Sequence, residues 1–410
     1  MPASDNRLAQ QVKRYLHTLC LEIPGRRTGS AGNRQATAFL AETFASFGFE
    51  TACPEFDCLD WTQAGALLVA SGEPFEVLIS PYSLGCQAAG QLVVASTLEE
   101  LEAAQAAGQI LLLRGSLASE QLMPKNFSFY NPEHHQHIIR LLETMSPQAI
   151  IAATTRNPEL AGAVYPFPLI EDGDFDIPSV YMTEEEGRRL VAHAGEAVSL
   201  EINARRTPAT GCNVIARAGR DATCRVVLTA HIDAKEDTPG ALDNASGVVV
   251  LLLLAELLAD VKPQIGIELV AFNGEDHYSA AGEVHYLHSN QGKLDEILLN
   301  INLDGVGYIQ GETGYSLYGC PEGLAGLIHK IFAPYGNLKQ GEPWYQGDHM
   351  VFVQNQVPAL AITSEALFHV LSAIAHTQQD TPDLVAPARL LEVAQALQDL
   401  LLEIDRNVPG

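Results

Sequence analysis

The sequence is poor in basic residues. Its 410 residues include 24 lysines and arginines against 50 aspartates and glutamates, which gives a formal net charge of −26. A surface this negative repels phosphate backbones and anionic lipid headgroups. Nucleic acids and membrane surfaces are therefore not expected as partners. The same acidic excess leaves many carboxylates available to bind cations.

The sequence also lacks the cysteine pattern of a disulfide-rich secreted protein. Its seven cysteines are an odd number, and no two of them form a Cys-x-x-Cys pair. A disulfide framework is not expected, and free cysteines are most often small buried hydrophobic residues. No basic N-terminal segment followed by an apolar one is visible either. These features predict a cytoplasmic protein.

Long apolar runs, internal repeats and low-complexity tracts are missing too. The longest apolar run, residues 248–258, is interrupted by Glu256 and is too short to cross a bilayer. A composition of 47% hydrophobic and 18% charged residues is that of a globular protein. It excludes a disordered chain, a fibrous repeat and a coiled coil. The length is compatible with two or three domains.

The pattern of apolar residues divides the chain into three parts. Residues 1–56 are predicted to be mainly helical, and residues 57–205 alternate short β-rich runs with turns. Residues 206–410 repeat strand, loop and helix, which predicts an α/β fold whose mostly parallel central sheet carries helices on both faces. The predicted strands of this third part are 213–216, 225–230, 265–272, 297–303 and 358–363, and its predicted helices are 246–258, 323–335 and 386–402.

Acidic and imidazole side chains follow the predicted strands at the points where the strands end. Because the carboxyl ends of parallel strands meet at one edge of a sheet, we expect these loops to converge. One further acid precedes a predicted helix, and one further histidine follows a late apolar stretch. The residues concerned are His231, Asp233, Asp243, Glu275, Asp276, Asp304 and His376.

These residue types are suited to binding a pair of metal ions. Zinc binds imidazole nitrogen and carboxylate oxygen, and a catalytic site leaves one position for water. Two histidines and three aspartates could serve two ions that share one bridging carboxylate. In the acidic pair Glu275-Asp276, one carboxylate would bind metal while its neighbour took the proton from water.

The order of the motifs resembles the co-catalytic di-zinc aminopeptidase family, which includes leucyl aminopeptidases, glutamate carboxypeptidase II, glutaminyl cyclase and the inactive transferrin receptor. The resemblance extends from about residue 213 to residue 402. The motifs in order are His231-x-Asp233, Gly240-x-x-Asp243-Asn244-x-Ser246-Gly247, Glu275-Asp276, Asp304-Gly305, Asp348-His349 and His376-Thr377-x-x-Asp380-Thr381.

The parts of the chain before residue 206 also resemble members of this family. The turn at residues 26–30 is similar to the family's N-terminal lead-in to the catalytic domain. Residues 57–205 resemble the protease-associated domain that is often inserted there, chiefly at residues 108–115 and 177–183. The resemblance therefore implies a catalytic domain formed by residues 1–56 and 206–410, divided by a smaller β-rich insertion.

Carried over residue by residue, the resemblance implies two zinc ions per chain. One ion would be held by His231 and Asp304, the other by Asp276 and His376, and Asp243 would bridge them. The implied activity is that of a zinc-dependent exopeptidase, an aminopeptidase that releases N-terminal residues from peptides with a free N-terminus. A hydroxide bridging the two metals would attack the peptide carbonyl.

The resemblance also assigns roles to acids that do not bind metal. Glu275 would be the general base, and Asp233 would orient the ring of His231. Asp380 would do the same for His376. Glu283 and Glu365 are candidates for holding the ammonium group of the substrate.

The chain departs from the family pattern next to the acidic pair. Asp276 stands where the family usually has glutamate, so its side chain is one methylene shorter. His277 and Tyr278 replace the usual glycine-rich turn and are expected either to shape substrate selection or to pack locally. A separate cluster, His134, His135 and His137, has metal-binding residue types, but is better explained as the polar start of a helix.

Three alternatives stay open at this point. A glutaminyl cyclase-like enzyme with one zinc ion, or another amidohydrolase, would use the same fold. A receptor-like binding protein would have kept the fold and lost the chemistry, although no expected ligand is missing here. Dipeptidase or carboxypeptidase action is compatible with the same motifs, and so is a homo-oligomer.

Overall fold

The computed structural model describes residues 3–23, 25–156 and 163–407. The chain divides into two compact units. The main unit comprises residues 1–58 and 210–410, and the inserted unit comprises residues 59–209. The chain passes from the main unit to the inserted unit within the strand Glu55–Ala70 and returns within the strand Ala197–Cys212.

The strands and helices of the described residues are numbered here in chain order. The strands are β1 (Glu50–Ala52), β2 (Glu55–Ala70), β3 (Glu73–Phe75), β4 (Leu78–Ile79), β5 (Cys86–Ala95), β6 (Ile110–Leu113), β7 (Ala149–Thr154), β8 (Ser179–Thr183), β9 (Ala197–Cys212), β10 (Val214–Ala218), β11 (Asp221–His231), β12 (Ile265–Phe272), β13 (Ile297–Leu303), β14 (Thr313–Tyr318), β15 (Leu338–Gln340) and β16 (Ala359–Ser364). The α-helices are α1 (Ala3–His17), α2 (Ala31–Ser46), α3 (Leu98–Ala103), α4 (Glu133–Met145), α5 (Glu184–Val191), α6 (Ser246–Leu258), α7 (Ala281–Ser289), α8 (Glu322–Phe332), α9 (His349–Val353), α10 (Leu367–Ala373) and α11 (Pro387–Asn407).

The main unit is built on an eight-stranded sheet with the order β1-β10-β12-β11-β13-β16-β14-β15. Its four central strands, β12, β11, β13 and β16, run parallel. Strands β1 and β10 at one edge and β14 at the other pair antiparallel with their inner neighbours. The predicted parallel sheet is therefore confirmed for the centre, while the antiparallel edges were not predicted.

Different helices cover the two faces of the main sheet. On one face, alternate residues of the central strands form one hydrophobic core with α1, α2, α6, α8 and α11. On the other face, the ring of Phe272 lies 5.3 Å from that of Tyr286 in α7 and 6.4 Å from that of Phe352 in α9. This arrangement confirms the predicted α/β fold with helices on both faces.

Helix α6 is apolar on almost every side because it lies inside this core. The segment Ala241–Leu258 has the length and hydropathy that a bilayer span would need, yet 83% of it is buried within the structure. A helix that is hydrophobic all round is typical of the interior of a large domain. We therefore interpret it as a core helix.

The inserted unit has its own eight-stranded sheet, with the order β3-β2-β9-β5-β6-β7-β8-β4. Its central strands β5, β6, β7 and β8 run parallel. Ile138, Ile139 and Leu142 of the amphipathic helix α4 pack on buried residues of β6 and β7. That this unit is a protease-associated domain stays a prediction.

Parallel pairing brings the carboxyl ends of β11, β12 and β13 to one edge of the main sheet. The register places His231 opposite Phe272 and Thr229 opposite Asn302. The loops that follow these strands therefore begin side by side, which is the arrangement that positions ligands in parallel sheets.

A buried arginine ties the loop after β11 to the N-terminal part of the chain. The Arg26 guanidinium donates hydrogen bonds to the carbonyl oxygens of Leu19, Ile232, Pro239 and Gly240, at 2.6 to 3.0 Å. Arg26 is only 2% exposed. Because buried carbonyl groups must be paired, this one side chain determines the path of the loop between residues 232 and 240.

We expect Arg26→Ala to lower the free energy of unfolding by about 3 kcal/mol, because it leaves several buried carbonyls without donors. Urea unfolding followed by circular dichroism measures the loss. Arg406→Ala is the matched control, since Arg406 is 72% exposed and pairs with Glu403, and it should cost about 0.5 kcal/mol or less. Equal losses in the two variants would contradict this account of Arg26.

Candidate metal centre

The structure brings the sequence-predicted site residues together at the carboxyl edge of the main sheet. His231 is the last residue of β11, Glu275 and Asp276 follow β12, and Asp304 follows β13. Asp243 lies in the segment Ala241–Ala245 that leads into α6, and its own backbone is not helical (φ −118°, ψ 84°). The remaining histidine, His376, follows α10 in a loop that returns to the same edge.

Asp243 stands between the two histidines. Its Oδ1 lies 3.1 Å from Nε2 of His231, and its Oδ2 lies 3.1 Å from Nε2 of His376. Asp304 Oδ1 is 3.7 Å from the same nitrogen of His231, and Asp276 Oδ1 is 3.2 Å from that of His376. Each side of the Asp243 carboxylate therefore faces one histidine and one further aspartate.

These separations fit a metal coordination shell. Two ligand atoms that are each about 2.0 Å from a tetrahedral zinc ion lie about 3.3 Å apart, and the distances here are 3.1 to 3.7 Å. Among the described residues, Asp276 Oδ2 is buried and has no hydrogen-bond partner. Imidazole nitrogens and carboxylate oxygens are the donors that zinc prefers. The residues therefore fit the binding of zinc.

The charges at this site depend strongly on one another. Burial by itself would lower the pKa of His231, but Glu275 and the three neighbouring aspartates raise it well above the usual histidine value. Burial by itself would raise the pKa of Asp243, but the two histidines hold it far below the usual range. Burial raises the pKa of Asp304. Such a crowd of buried carboxylates is stabilised by any cation that binds between them.

Glu275 differs from its neighbour Asp276 in exposure. The Glu275 side chain is 25% exposed and its Oε2 lies 4.0 Å from Nε2 of His231, whereas the Asp276 side chain is 6% exposed. Burial and the neighbouring carboxylates raise the pKa of Glu275 well above the usual value. Glu275 therefore faces the open side of the site, where a proton acceptor would meet water and substrate.

Asp233 holds the loop that carries the acidic pair and lies beside His231. Its Oδ1 accepts a hydrogen bond from the N–H of Gly274 at 2.9 Å. Its Oδ2 accepts from the N–H of Asp276 at 3.1 Å and from the Thr28 hydroxyl at 3.2 Å. The distance from Oδ1 to Nδ1 of His231 is 3.7 Å, too long for a hydrogen bond, so the orienting role of Asp233 stays a prediction.

Asp380 makes contacts other than those expected. Its carboxylate accepts hydrogen bonds from the backbone N–H groups of Leu242 and Asp243, at 2.7 and 3.0 Å. It therefore positions the shared aspartate, where the sequence led us to expect that it would orient His376. Burial raises the pKa of Asp380 to about 6. His376 itself has a φ of +62°, a left-handed conformation that is uncommon outside glycine and asparagine.

The two departures from the family pattern have clear structural outcomes. Asp276 reaches His376 despite its shorter side chain, because its Oδ1 lies 3.2 Å from Nε2 of that histidine. His277 is buried, its Nδ1 lies 3.0 Å from the Ser279 hydroxyl, and its ring packs 4.3 Å from that of Tyr278. Burial lowers the pKa of His277 to about 3. Of the two expectations for His277, the structure favours local packing.

A network of asparagines beside the site was missed by the sequence analysis. Asn273 Oδ1 accepts hydrogen bonds from the Thr28 hydroxyl at 3.0 Å and from Asn33 Nδ2 at 2.8 Å. The N–H of Asn273 donates to Oδ1 of Asn213 at 3.1 Å. The available signal was an asparagine next to each of two buried strands, since Asn213 directly precedes β10 and Asn273 directly follows β12. The network fixes the start of the loop that presents Glu275.

By distance alone, Glu120, His134 and His135 form a second group that could hold a metal ion, but one hydrogen bond argues against it. Glu120 Oε1 lies 3.2 Å from Nε2 of His134 and 3.4 Å from Nε2 of His135. However, Nδ1 of His135 accepts a hydrogen bond from the Met123 N–H at 3.1 Å, so in a neutral ring Nε2 carries the proton. Helix α4 begins at Glu133, as predicted for a polar helix start.

A cavity of about 600 Å³ is lined by Trp344 and Thr363, and a Cβ at Gly305, next to Asp304, would lie 3.2 Å from the Thr363 hydroxyl. A Cβ at Gly347 would lie 3.0 Å from the Trp344 ring and 3.1 Å from Asp304 Oδ2, so Trp344 is next to the site. Within the described part of the chain, Trp344 Nε1 and the Thr363 hydroxyl are buried without hydrogen-bond partners. The cavity is lined by Gly314, Tyr315, Ser316, Gln340, Gly341, Glu342, Pro343, Trp344, Thr363, Ser364, Glu365, Leu367 and Phe368.

Three further acidic residues from the sequence motifs and candidates differ in exposure. Glu365 is exposed and its Oε2 accepts a hydrogen bond from the Glu312 N–H at 3.1 Å. Glu283 is buried, and burial raises its pKa to about 7, so it does not present a charge to solvent. Asp348 is also buried, and burial together with Glu283 raises its pKa well above the usual value.

Comparison with known proteins identifies the part of the chain that carries this site. Residues 213–401 match peptidase family M28. This segment belongs to that family. It contains the predicted metal ligands and the acidic pair, and the remaining residues of the main unit complete the same sheet and core.

Several relatives of the M28 segment are named aminopeptidases. Aminopeptidase YwaD of Bacillus subtilis is 29% identical over 141 residues, which are 34% of this chain and 31% of that protein. The probable lipoprotein aminopeptidase LpqL of Mycobacterium tuberculosis is 24% identical over 76% of this chain and 63% of its own length. The chain thus matches about a third to two thirds of the length of these relatives.

Solved structures show the same fold over nearly the whole chain. The aminopeptidase from Aneurinibacillus sp. strain AM-1 has a TM-score of 0.74 and 22% identity, covering 96% of this chain and 93% of that one. BSAP, a zinc aminopeptidase from Bacillus subtilis, has a TM-score of 0.74 and 20% identity, with coverages of 98% and 96%. A glutaminyl cyclase from Fimbriiglobus ruber has a TM-score of 0.52 and 12% identity, with coverages of 96% and 94%.

We expect Asp304→Asn to have opposite effects with and without zinc. Because the pKa of Asp304 is raised, its ionised form costs stability in the cation-free protein at pH 7. With a chelator present, the variant should unfold a few degrees above the wild type. Saturating zinc should raise the Tm of the wild type by several degrees more than that of the variant.

The control for this prediction is the exposed Asp260. Asp260→Asn should leave both Tm values and the zinc-dependent increase unchanged. Differential scanning fluorimetry of the wild type and the two variants, in chelator and in zinc, gives all six Tm values. An equal zinc response in the wild type and in Asp304→Asn would show that Asp304 does not hold a cation.

Proposed function

We propose that this chain is a zinc-dependent aminopeptidase with two zinc sites. The observation that carries the proposal is the position of Asp243, whose two oxygens each lie 3.1 Å from a different histidine. The M28 segment and the names of its relatives support the peptidase activity. Because those relatives are matched only in part, the activity and substrate are our proposal for this chain.

The five ligands divide into two sets around Asp243. His231 and Asp304 would hold one ion, and Asp276 and His376 would hold the other. Asp233 holds the backbone of Asp276 and would orient the ring of His231, whose Nδ1 lies 3.7 Å away. Zinc, when bound, would polarise the scissile carbonyl and lower the pKa of a bound water.

Glu275 is the residue that we propose moves the proton. Its carboxylate faces the open side of the site, 4.0 Å from the His231 ring, and a carboxylate in this position can accept a proton from a bound water. It would take the proton from the attacking water and deliver it to the amine that leaves. Asp233 holds the N–H groups on both sides of Glu275, those of Gly274 and Asp276, which keeps the Glu275 side chain in place.

The cavity beside Asp304 is the proposed place for the first residue of the substrate. It is lined by two carboxylates, those of Glu342 and Glu365, and by no lysine or arginine. Such a lining suits a substrate with a positively charged free amine. Trp344 Nε1 and the Thr363 hydroxyl offer polar groups that a bound peptide would satisfy.

The alternatives are weaker on these observations. A receptor-like protein that had lost the chemistry would lack ligands, whereas all five are present and close together. A glutaminyl cyclase shares the fold, so the fold alone does not exclude cyclisation. The symmetric position of Asp243 between two histidines favours two metal ions over one. We also propose that the inserted unit is a protease-associated domain, supported by its resemblance at residues 108–115 and 177–183.

We expect Glu275→Gln to lower kcat by about 10³-fold while the zinc content stays unchanged, because the amide cannot accept the proton. Leucyl-anilide hydrolysis gives kcat, and elemental analysis gives zinc per chain. Glu322→Gln, a change at an exposed glutamate in α8, should leave both values unchanged. Full activity in Glu275→Gln would remove that residue from the proton-transfer role.

The choice of substrate separates the aminopeptidase from its alternatives. We expect hydrolysis of leucyl-anilide and none of its N-acetylated form, because the acetyl group removes the charged amine. A glutaminyl peptide should lose its first residue rather than lose ammonia. Cyclisation of that peptide without release of residues would favour the cyclase.

We expect Thr363→Val to stabilise the free protein and to weaken substrate binding. The Thr363 hydroxyl is buried without a partner among the described residues, so its removal should raise the free energy of unfolding by about 1 kcal/mol. If a bound peptide uses this hydroxyl, the KM should rise several-fold with little change in kcat. Urea unfolding and steady-state kinetics measure the two effects.

The matched control for Thr363→Val is Thr229→Val. The Thr229 hydroxyl is also buried, but it donates to Asn302 Oδ1 at 2.8 Å. Its removal leaves Asn302 unpaired and should lower the free energy of unfolding. Destabilisation by Thr363→Val to the same extent would contradict the interpretation of the cavity.

A further inference from the structure

Two cysteines that are far apart in sequence lie next to each other in the main unit. Cys53 is in the short segment between β1 and β2, and Cys212 is the last residue of β9. Strands β1 and β10 pair antiparallel with Ala52 opposite Ile215. On the other side of the pair, the Phe56 ring lies against Gly211, where a Cβ would be 2.9 Å from its edge. The backbone segments are therefore adjacent on both sides of the two cysteines.

The two side chains are neighbours, and they differ in exposure. Cys53 is exposed, whereas Cys212 is partly exposed. The neighbouring Cys53 lowers the pKa of Cys212 to about 7 against the effect of burial. The same contact raises the pKa of Cys53. Cys212 is therefore the thiolate of the pair, and Cys53 is the neighbouring thiol.

Three of the other cysteines, Cys20, Cys86 and Cys320, lack this combination of exposure and acidity. Burial raises the pKa of Cys20 to about 11 and also raises the pKa values of Cys86 and Cys320. Thiolates and not thiols are the reactive species, so these three should oxidise slowly. The prediction that the cysteines are small buried residues is correct for Cys20 and Cys58 and wrong for Cys53.

We propose that Cys53 and Cys212 form a reversible disulfide when the protein meets a peroxide. The Cys212 thiolate attacks one peroxide oxygen, which breaks the O–O bond, gives a sulfenic acid and releases water after protonation. The Cys53 sulfur then attacks the sulfenic sulfur, its proton leaves with the hydroxyl as a second water, and the S–S bond forms. Two thiols are oxidised and one hydrogen peroxide is reduced to two waters. A dithiol reductant reverses the change.

The cysteine pair is connected to the catalytic loop through the backbone. The carbonyl oxygen of Cys212 accepts a hydrogen bond from Asn273 Nδ2 at 3.1 Å. The next residue, Asn213, accepts the N–H of Asn273 and donates to the carbonyl of Gly282 at 2.8 Å. Residues 273–282 include the proposed base Glu275. A disulfide at Cys212 therefore pulls on the residues that position this loop, an inference that rests on the proposed function.

The test begins with chemistry that does not depend on activity. The full-length protein, reduced and freed of reductant, is treated with hydrogen peroxide, alkylated and digested without reduction for mass spectrometry. We expect a Cys53–Cys212 linked peptide, a fall from seven free thiols to five, and recovery of all seven with dithiothreitol. In Cys53→Ser, a sulfenic acid at Cys212 should be trapped by dimedone. Cys320→Ser is the matched control and should still form the linked peptide.

The thermal and kinetic readouts complete the test. The disulfide closes a loop that contains the whole inserted unit, so oxidation should raise the Tm by several degrees. It should also lower kcat for leucyl-anilide several-fold in the wild type and leave kcat of Cys53→Ser unchanged. Absence of the linked peptide in folded protein, or earlier oxidation of another cysteine, would overturn the disulfide. An unchanged kcat in the linked protein would overturn its coupling to the loop, whereas an inactive reduced protein would instead contradict the proposed function.

Discussion

Electrostatic repulsion among four carboxylates is the constraint on which the carboxyl edge of the main sheet depends. Asp243, Glu275, Asp276 and Asp304 converge with two histidines at separations of 3.1 to 4.0 Å. Such a cluster is costly without a compensating positive charge. The protein supplies only part of this charge, because Lys235 Nζ lies 3.9 Å from Asp276 and the histidines must be protonated to help. The arrangement is accounted for when divalent cations supply the rest.

The surrounding structure keeps these charges in place by hydrogen bonds to the backbone. Asp380 holds the N–H groups of Leu242 and Asp243, and Asp233 holds the loop of the acidic pair. Arg26 fixes the loop that connects these regions. The anchoring groups come from the N-terminal segment, the middle and the C-terminal part of the chain. The site therefore requires the whole main unit, including residues before the inserted unit.

Much of this architecture could be predicted because local patterns determined it. The strongly apolar elements α6, β12 and β13 have the predicted bounds 246–258, 265–272 and 297–303. The short edge strands β1 and β15 and the antiparallel β14 were not predicted, because three to six residues of mixed polarity carry little periodicity. Their positions depend on pairing with distant strands. The cytoplasmic location and the assignment of the inserted unit stay predictions.

The residues of the site could be predicted from local sequence, whereas the contacts that hold them in place could not. Strand ends and motif order sufficed to select the seven residues that the structure brings together. The contacts of Asp380 were not predictable, because it bonds to the backbone of a residue 137 positions away. The proximity of Cys53 and Cys212 could not be predicted either, because the two residues are distant in sequence and form no motif. Sequence thus indicated which side chains carry the chemistry, whereas the groups that hold them depend on tertiary contacts.

The central claim is that Asp243 serves two metal ions at once. Zinc per chain, measured by elemental analysis after saturation and removal of excess metal, tests it most directly. We predict two zinc ions per chain in the wild type, and fewer than one in Asp243→Ala because both sites lose their shared ligand. One tightly held ion in the wild type, or an unchanged zinc content in Asp243→Ala, would contradict the account.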